Sequence, residues 1–99
     1  MNKNDYDELY AIIKDHADVG NSIGIFLKNN KEITINFPGE DNINGFKSVS
    51  HVDGSQIITI RVYTQIFDDE VSINLNEIII IREYSNTFKT PGIYMNEEE

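Results

Sequence analysis

The stretch from residue 56 to residue 84 constrains the fold most, because its apolar residues follow strand periodicities. Residues 56–67 are rich in β-branched side chains and predict one long strand, which the acidic residues 68–70 end in a turn. Residues 71–75 alternate apolar and polar side chains, as a strand with one solvated face does. Residues 78–84 begin with four isoleucines, a pattern that favours a strand buried on both faces. These segments predict the core of a small antiparallel β domain and contain no catalytic signature.

The length and the residue types bound the class of protein. A chain of 99 residues suits one domain with one core. The absence of cysteine excludes disulfides, thiolate nucleophiles and cysteine-based metal sites. No apolar run approaches the roughly 20 residues of a membrane-spanning helix, and the first residues are acidic where a signal peptide would be basic. We therefore expect a soluble, cytoplasmic protein.

The charge balance narrows the classes of partner. The formal net charge is −9 at pH 7, from 17 acidic and 8 basic residues. Such a surface repels phosphate backbones and anionic lipid headgroups, and it attracts basic proteins. We therefore expect a basic protein partner, no direct nucleic-acid binding and no membrane binding. The alternative is that the acidic surface serves only solubility.

Residues 4–19 predict a helix at the start of the chain. One stripe of side chains has the spacing i, i+3, i+4, i+7 and i+11, and it consists of Tyr6, Leu9, Tyr10, Ile13 and Ala17. Asp5 and Glu8 have the spacing of a capping box, and Gly20 followed by Asn21 provides a stop signal. Because a single helix of this length is marginal in water, we expect the stripe to pack on the sheet.

Two further strand pairs complete the predicted sheet. Residues 22–28 and 32–37 form a hairpin around two asparagines, which tolerate the positive φ of tight turns. Residues 45–52 predict an edge strand, joined to the long strand by Asp53-Gly54, a strong hairpin signal. The short connections favour an antiparallel meander. The predicted fold class is α+β, mostly β, with an N-terminal helix and a meander of five to six strands.

The last part of this meander carries a resemblance at the level of the fold. Residues 71–81, Val-Ser-Ile-Asn-Leu-Asn-Glu-Ile-Ile-Ile-Ile, read as strand, short polar turn and strand. After an N-terminal helix, this outline resembles the small barrels of Sm-like and SH3-like domains, which implies a small β-barrel. A strongly twisted sheet packed on the helix is the alternative. A fold does not determine a function, and an RNA-binding role of the Sm-like kind conflicts with the net charge of −9.

The chain divides into one domain and a tail. We expect residues 1–84 to form a single domain, with the helix at 4–19 and the β meander at 22–84, and residues 85–99 to form a C-terminal arm with an acidic tail. The arm carries large apolar side chains that a solvated tail rarely needs: Phe88, Ile93, Tyr94 and Met95. They either lie back over an open end of the sheet or dock on another subunit or partner.

Candidate catalytic and metal-binding residues are few. His16 and His51 are the only histidines, and a zinc site would need a third ligand. The acidic residues at 40–41 and 68–70 lack the spacing of a calcium-binding loop. No glycine-rich loop precedes a helix at a phosphate-binding spacing. We therefore predict no catalytic residue, no metal ligand and no cofactor, and a protein that is not an enzyme.

The leading hypothesis is a small acidic interaction module that inhibits or regulates a basic protein, for example a nucleic-acid-binding one. Phage-encoded anti-defence proteins and immunity proteins are inhibitors of this kind. The predicted partner-binding residues come from two acidic segments and the arm: Glu40, Asp41, Asp68, Asp69, Glu70, Phe88, Ile93 and Tyr94. One alternative is a self-assembling subunit of a phage or mobile element, a homo-oligomer in which residues 46–52, Ile78–Ile81 and the arm at 88–95 would mediate contacts by strand addition. The other alternative is a small-ligand-binding barrel.

Overall fold

The computed structural model describes residues 3–39, 45–84 and 90–97, and these contain one helix and seven strands. In chain order the elements are α1 (Lys3–Val19), β1 (Ser22–Leu27), β2 (Lys31–Asn36), β3 (Phe46–His51), β4 (Ile57–Tyr63), β5 (Asp68–Asn74), a 3₁₀ turn (Leu75–Glu77), β6 (Ile78–Tyr84) and β7 (Gly92–Glu97). The mostly-β class with an N-terminal helix is confirmed. Among the described residues no helix combines the length and apolarity that crossing a bilayer requires.

The strands form two antiparallel sheets. Sheet A has the order β6-β1-β2-β7, and sheet B has the order β3-β4-β5. The predicted meander of five to six strands must therefore be corrected. The chain changes sheets after β2 and again after β5, where the 3₁₀ turn redirects it, so that β6 pairs with β1. The residues in the described ranges do not close into a barrel, since no ladder joins the two sheets.

The core lies between the inner faces of the two sheets and α1. Alternation in β4 is confirmed, because its inward side chains are fully buried while those between them are not. The buried core residues are Ile13, Ala17, Ile23, Ile25, Ile33, Ile35, Phe37, Ile58, Ile60, Val62, Val71, Ile73, Leu75 and Ile78. The helix contributes the first two of these, so the prediction that its apolar stripe packs on the sheet is confirmed. The sandwich buries one face of each element, as layered β domains do.

The predicted turn at residues 68–70 is wrong, because the chain turns at residues 64–67 and β5 begins at Asp68. The Thr64 hydroxyl accepts hydrogen bonds from the backbone N–H groups of Ile66 (3.2 Å) and Phe67 (3.3 Å). The Thr64 N–H donates to the Phe67 carbonyl at 2.8 Å. Threonine hydroxyls stabilise turns in this way. The acidic residues therefore follow the turn and stand in the first half of a strand.

The predicted stop signals act as expected. Gly20 has φ +74°, and the N–H groups of Gly20 and Asn21 donate to the carbonyls of Ala17 (3.1 Å) and His16 (3.0 Å). This pair of bonds is a Schellman motif, which ends α1. In the first hairpin Asn30 has φ 64°, as the asparagine turn predicted. Gly24 allows a close approach, since an added Cβ would lie 2.6 Å from the Glu32 carboxylate and 2.6 Å from the Tyr84 ring.

Hydrogen bonds and a stacked ring pair hold α1 against both sheets. The Tyr6 hydroxyl donates to Asn76 Oδ1 at 3.0 Å. The Asp7 carboxylate accepts the Gly54 N–H at 3.0 Å. Tyr10 stacks on His51 with ring centroids 5.0 Å apart. These contacts fix α1 between the β3–β4 turn and the 3₁₀ turn, so its position beside β6 is defined.

Candidate protein-binding groove

The predicted acidic site on β5 is partly occupied by internal contacts. Asp68 accepts two hydrogen bonds from Arg61, Nε to Oδ1 at 2.8 Å and Nη2 to Oδ2 at 2.7 Å. This bidentate pair lowers the pKa of Asp68 and raises the pKa of Arg61. Glu70 is exposed and lies opposite Arg61 in the β4–β5 register. Because Asp68 is neutralised by a neighbouring cation, the local charge of this segment is smaller than its composition indicates.

Asp69 connects the two sheets. Its Oδ2 accepts the backbone N–H of Ile93 at 3.1 Å, so a side chain of β5 satisfies a backbone group of β7. The structure thus brings two of the predicted partner-binding residues, Asp69 and Ile93, into direct contact. Tyr94 follows on β7, and its hydroxyl donates to the Thr90 carbonyl at 3.0 Å. We call this junction between β5 and β7 the seam. The other predicted residues, at 40, 41 and 88, lie outside the described residues.

A groove of about 650 Å³ runs between α1 and β6. Apolar side chains form most of its lining, with two carboxylates at the first turns of the helix. The lining residues are Asp5, Glu8, Leu9, Ile12 and the four isoleucines Ile78–Ile81. The run Ile78–Ile81 was predicted only as a subunit contact of a self-assembling protein, and the four residues of α1 were not predicted to bind a partner.

The groove exists because β6 ends sheet A and because its side chains do not alternate regularly. Ile80 pairs with Phe26 and Ile78 pairs with Leu27, so Ile79 is an extra residue at a β-bulge. Ile79 is 64% exposed and Ile80 46% exposed, whereas Ile78 is buried. The interpretation of this run as a strand buried on both faces is therefore wrong. The bulge and the edge position together turn two isoleucines outward.

The exposed apolar residues of the groove form one group. Ile12 of α1 is 40% exposed and faces the same groove as Ile79 and Ile80. Isolated apolar side chains on a surface are ordinary, whereas several in one concave site are typical of ligand-binding and protein-binding grooves. The helix is anchored at Tyr6 and Tyr10, so the groove is largely preformed.

The charges of the groove are of one sign. The charged residues in its lining are Asp5 and Glu8, both acidic. The positive end of the helix dipole, worth about half an elementary charge, is smaller than the charge of either carboxylate. The groove therefore favours an apolar ligand that carries positive charge. An apolar ligand with acidic groups would meet repulsion there.

A smaller pocket of about 220 Å³ lies on the other side of β6, on the outer face of sheet A. Its lining residues are Phe26, Leu27, Asn30, Lys31, Glu32, Ile79, Ile80 and Arg82. The Arg82 guanidinium lies over the Phe26 ring, 5.2 Å from its centroid. Ile79 and Ile80 line both sites, so these two side chains form the ridge between them.

The outer face of sheet A also holds a polar network that is internally satisfied. The Tyr84 hydroxyl donates to the Glu32 carboxylate, which raises the pKa of Tyr84. Ser22 Oγ donates to Asn36 Oδ1 at 2.6 Å, and Asn96 Nδ2 donates to Thr34 Oγ1 at 3.2 Å. In the described part of the chain every buried side-chain nitrogen or oxygen has a partner. The network therefore supports β6 and β7 and offers no unpaired group to a ligand.

No cluster of three or more metal-ligating side chains occurs within residues 3–39, 45–84 and 90–97. The His51 ring packs against Tyr10 with its Nε2 2.6 Å from the Ser55 carbonyl oxygen. Comparison of the chain with protein-family models, with curated proteins and with solved structures finds no match. The geometry of the groove and the charges therefore carry the functional argument.

Sequence reasoning missed the groove between α1 and β6 because the residues of α1 had other interpretations and the isoleucine run was not connected to the helix. Ile12 stands outside the predicted helical stripe, which left an apolar side chain with no assigned place. Glu8 was assigned to a capping box, and the four isoleucines to a buried strand. The signal in the sequence was the unbroken run of isoleucines, since a strand with two different faces should alternate. The bulge that exposes two of them depends on pairing with β1.

Proposed function

We propose that this chain is a small acidic, non-enzymatic interaction module whose groove between α1 and β6 binds an apolar segment of a basic protein. One observation carries the proposal: three exposed isoleucines share a groove in which the charged residues are both acidic. Covering apolar surface contributes roughly 25 cal/mol for each Å² removed from water. The carboxylates add selectivity for lysine and arginine on the partner.

The net charge supports a role as an inhibitor or regulator. At −9, the surface accelerates encounter with basic proteins and slows encounter with nucleic acids and anionic membranes. A nucleic-acid-binding protein offers the complementary basic surface, and covering it would block its own ligand. Phage-encoded anti-defence proteins and immunity proteins act on such targets, and we place this chain in that functional class as part of the proposal.

We interpret the fold as an opened small barrel in the same proposal. The seam joins β5 to β7 through the Asp69–Ile93 hydrogen bond, and α1 stands between β3 and β6 on the other side. In a closed barrel of the Sm-like or SH3-like kind, strand pairing would close the circuit and remove the edges. Among the described residues no strand closes the gap beside β6, and the groove between α1 and β6 lies there, which supports the interpretation that the groove is the binding side.

The acidic residues of β5 remain predicted contacts of the partner, but they differ in how far they are already used in contacts within the fold. Asp68 and Asp69 already hold Arg61 and β7, so a change at either alters the fold as well as the charge. Glu70 has an exposed side chain on the same strand. Reversing the charge at Glu70 therefore tests whether the negative charge of β5 contributes to partner binding, with the least structural disturbance.

The test compares capture of proteins from bacterial lysate by the wild type, by a groove variant and by a matched control. The groove variant carries Ile12→Asp and Ile80→Asp. The control carries Ile66→Asp, since Ile66 is 93% exposed and lies in the β4–β5 turn outside the groove. We expect a basic protein that the wild type and the control retain at low salt. The groove variant should retain about tenfold less of it, and high salt should release it.

Circular dichroism and thermal melting establish that the variants fold, which the exposure of the substituted side chains predicts. Equal capture of the same proteins by all three chains would overturn the proposed site. A captured partner that is acidic, or that resists high salt, would overturn the electrostatic part of the proposal.

A further inference from the structure

The proposed function does not specify the conformation of the bound segment. The unpaired edge of β6 indicates that conformation. We infer that the partner segment is an extended strand that adds to the outer edge of β6 and alternates cationic or apolar residues with acidic or aromatic ones. This inference rests on the proposed function, because it concerns the same groove.

The position of β6 supports strand addition. It is the terminal strand of sheet A, and within the described residues no strand pairs with its outer edge. An edge strand presents backbone N–H and C=O groups that an extended segment can pair with. A helical ligand satisfies its own backbone and would leave that edge unpaired. A strand can therefore form backbone hydrogen bonds with this edge that a helix cannot form.

The two sites on either side of β6 support the alternating pattern. An added strand lies about 4.8 Å from β6, and its successive side chains point to opposite faces. Alternate residues would therefore enter the groove beside α1 and the pocket on the outer face. Ile80 lines both sites and belongs to the regularly paired part of β6, so it would lie beneath the added segment.

The chemistry of the two sites differs. The groove beside α1 offers apolar side chains with Asp5 and Glu8, and it suits apolar residues, lysine and arginine. The outer pocket holds the Arg82 guanidinium beside the Phe26 ring, and its one carboxylate, Glu32, already accepts the Tyr84 hydroxyl. That pocket suits an acidic residue or an aromatic ring beside Phe26. A partner strand should therefore carry opposite chemistry on its two faces.

The bulge sets the length of the added strand. Pairing between β1 and β6 is regular from Ile80 to Tyr84 and shifts beyond Phe26. Bulges at edges disrupt pairing, so the partner strand is a short one that faces the regular part of β6. A second copy of this chain fits poorly, because its own β6 would bring another Asp5 and Glu8 to the same groove and another net charge of −9.

The test is a selection from displayed random peptides of about 12 residues, long enough for a strand of common length. The wild-type chain of 99 residues is the bait, and Ile80→Asp and Ile66→Asp are the counter-baits. We expect selected peptides with period-two alternation of basic or apolar residues and acidic or aromatic ones. Their affinity should fall at least about tenfold on Ile80→Asp and stay unchanged on Ile66→Asp.

A second measurement examines the backbone of the best selected peptide. Two N-methylated versions carry methyl groups on alternate amides, in the two possible sets. In an added strand only one set of N–H groups faces β6, so one version should lose binding and the other should keep it.

The outcomes separate the two proposals. Peptides that depend on Ile80 but show helical spacing, or tolerate both N-methylated sets, would overturn strand addition and leave the groove as the site. Peptides that bind Ile80→Asp as tightly as the wild type would overturn the groove itself. A selection that yields no binding peptide would overturn strand addition.

Discussion

The two edges of sheet A are finished in different ways. At the β7 edge, the Asp69 carboxylate accepts the Ile93 N–H, and the Ile93 side chain packs against the core. At the β6 edge, a bulge turns Ile79 and Ile80 outward beside an acidic groove. Exposed strand edges invite pairing with other chains, and proteins usually cover or charge them. One edge of this sheet is covered from within, and the other has the properties of a binding surface.

The largest expected effect is a difference in stability between two alanine substitutions. One replaces a buried isoleucine beside β7, and the other replaces an exposed isoleucine on β6. Ile35 is fully buried and pairs with Ile93 of β7, whereas Ile79 is 64% exposed on β6. We expect Ile35→Ala to lower the free energy of unfolding by about 2–5 kcal/mol through lost burial and a cavity. The same substitution at Ile79 should change it by no more than about 0.5 kcal/mol. Urea denaturation of the two variants measures both values.

Both variants replace isoleucine by alanine, so any difference between their stabilities comes from the position of the residue in the sheet. A loss at Ile79→Ala comparable to that at Ile35→Ala would mean that the β6 edge is part of the core. The interpretation of the β6 edge as a binding surface, in contrast to the covered β7 edge, would then be wrong.

The next effect concerns the seam. Asp69→Ala removes the acceptor of the Ile93 N–H and leaves a partly buried donor without its partner. We expect a loss of about 1–3 kcal/mol in the free energy of unfolding, together with faster hydrogen exchange in β7. Asp69→Asn keeps a side-chain oxygen and should recover part of the loss. Equal exchange rates in β7 for the wild type and Asp69→Ala would show that the seam does not hold that edge.

Local patterns were sufficient to predict much of the fold. The apolar alternation of β4, the asparagine turn at residue 30 and the end of α1 at Gly20 follow from dihedral preferences and periodicity within a few residues. Each of these features is determined by its own short segment.

The features that define the candidate site depend on distant residues. Residues 64–67 were predicted to continue the long strand and residues 68–70 to form the turn, whereas the structure turns at Thr64 and the register with β4 places the acidic residues in a strand. The exposure of Ile79 depends on its bulge opposite β1, and the role of Asp69 depends on β7 lying beside β5. Single-segment periodicity contains none of this information. The same limit explains why the strands were expected in one meander.

The smallest expected effect tests how β6 is held while its middle remains exposed. Tyr84, at the end of β6, donates a hydrogen bond to Glu32 of β2, and this bond raises the pKa of Tyr84 above its ordinary value of about 10. The stabilisation is therefore fully present below pH 10 and is lost as the pH rises through the pKa of the folded state.

At neutral pH, Tyr84→Phe should lower the free energy of unfolding by about 0.5–1.5 kcal/mol. Urea denaturation from pH 8 to about pH 11 should show a steeper alkaline loss for the wild type than for the variant. Because all other tyrosines and lysines titrate in both proteins, parallel pH profiles would mean that this hydrogen bond does not anchor β6.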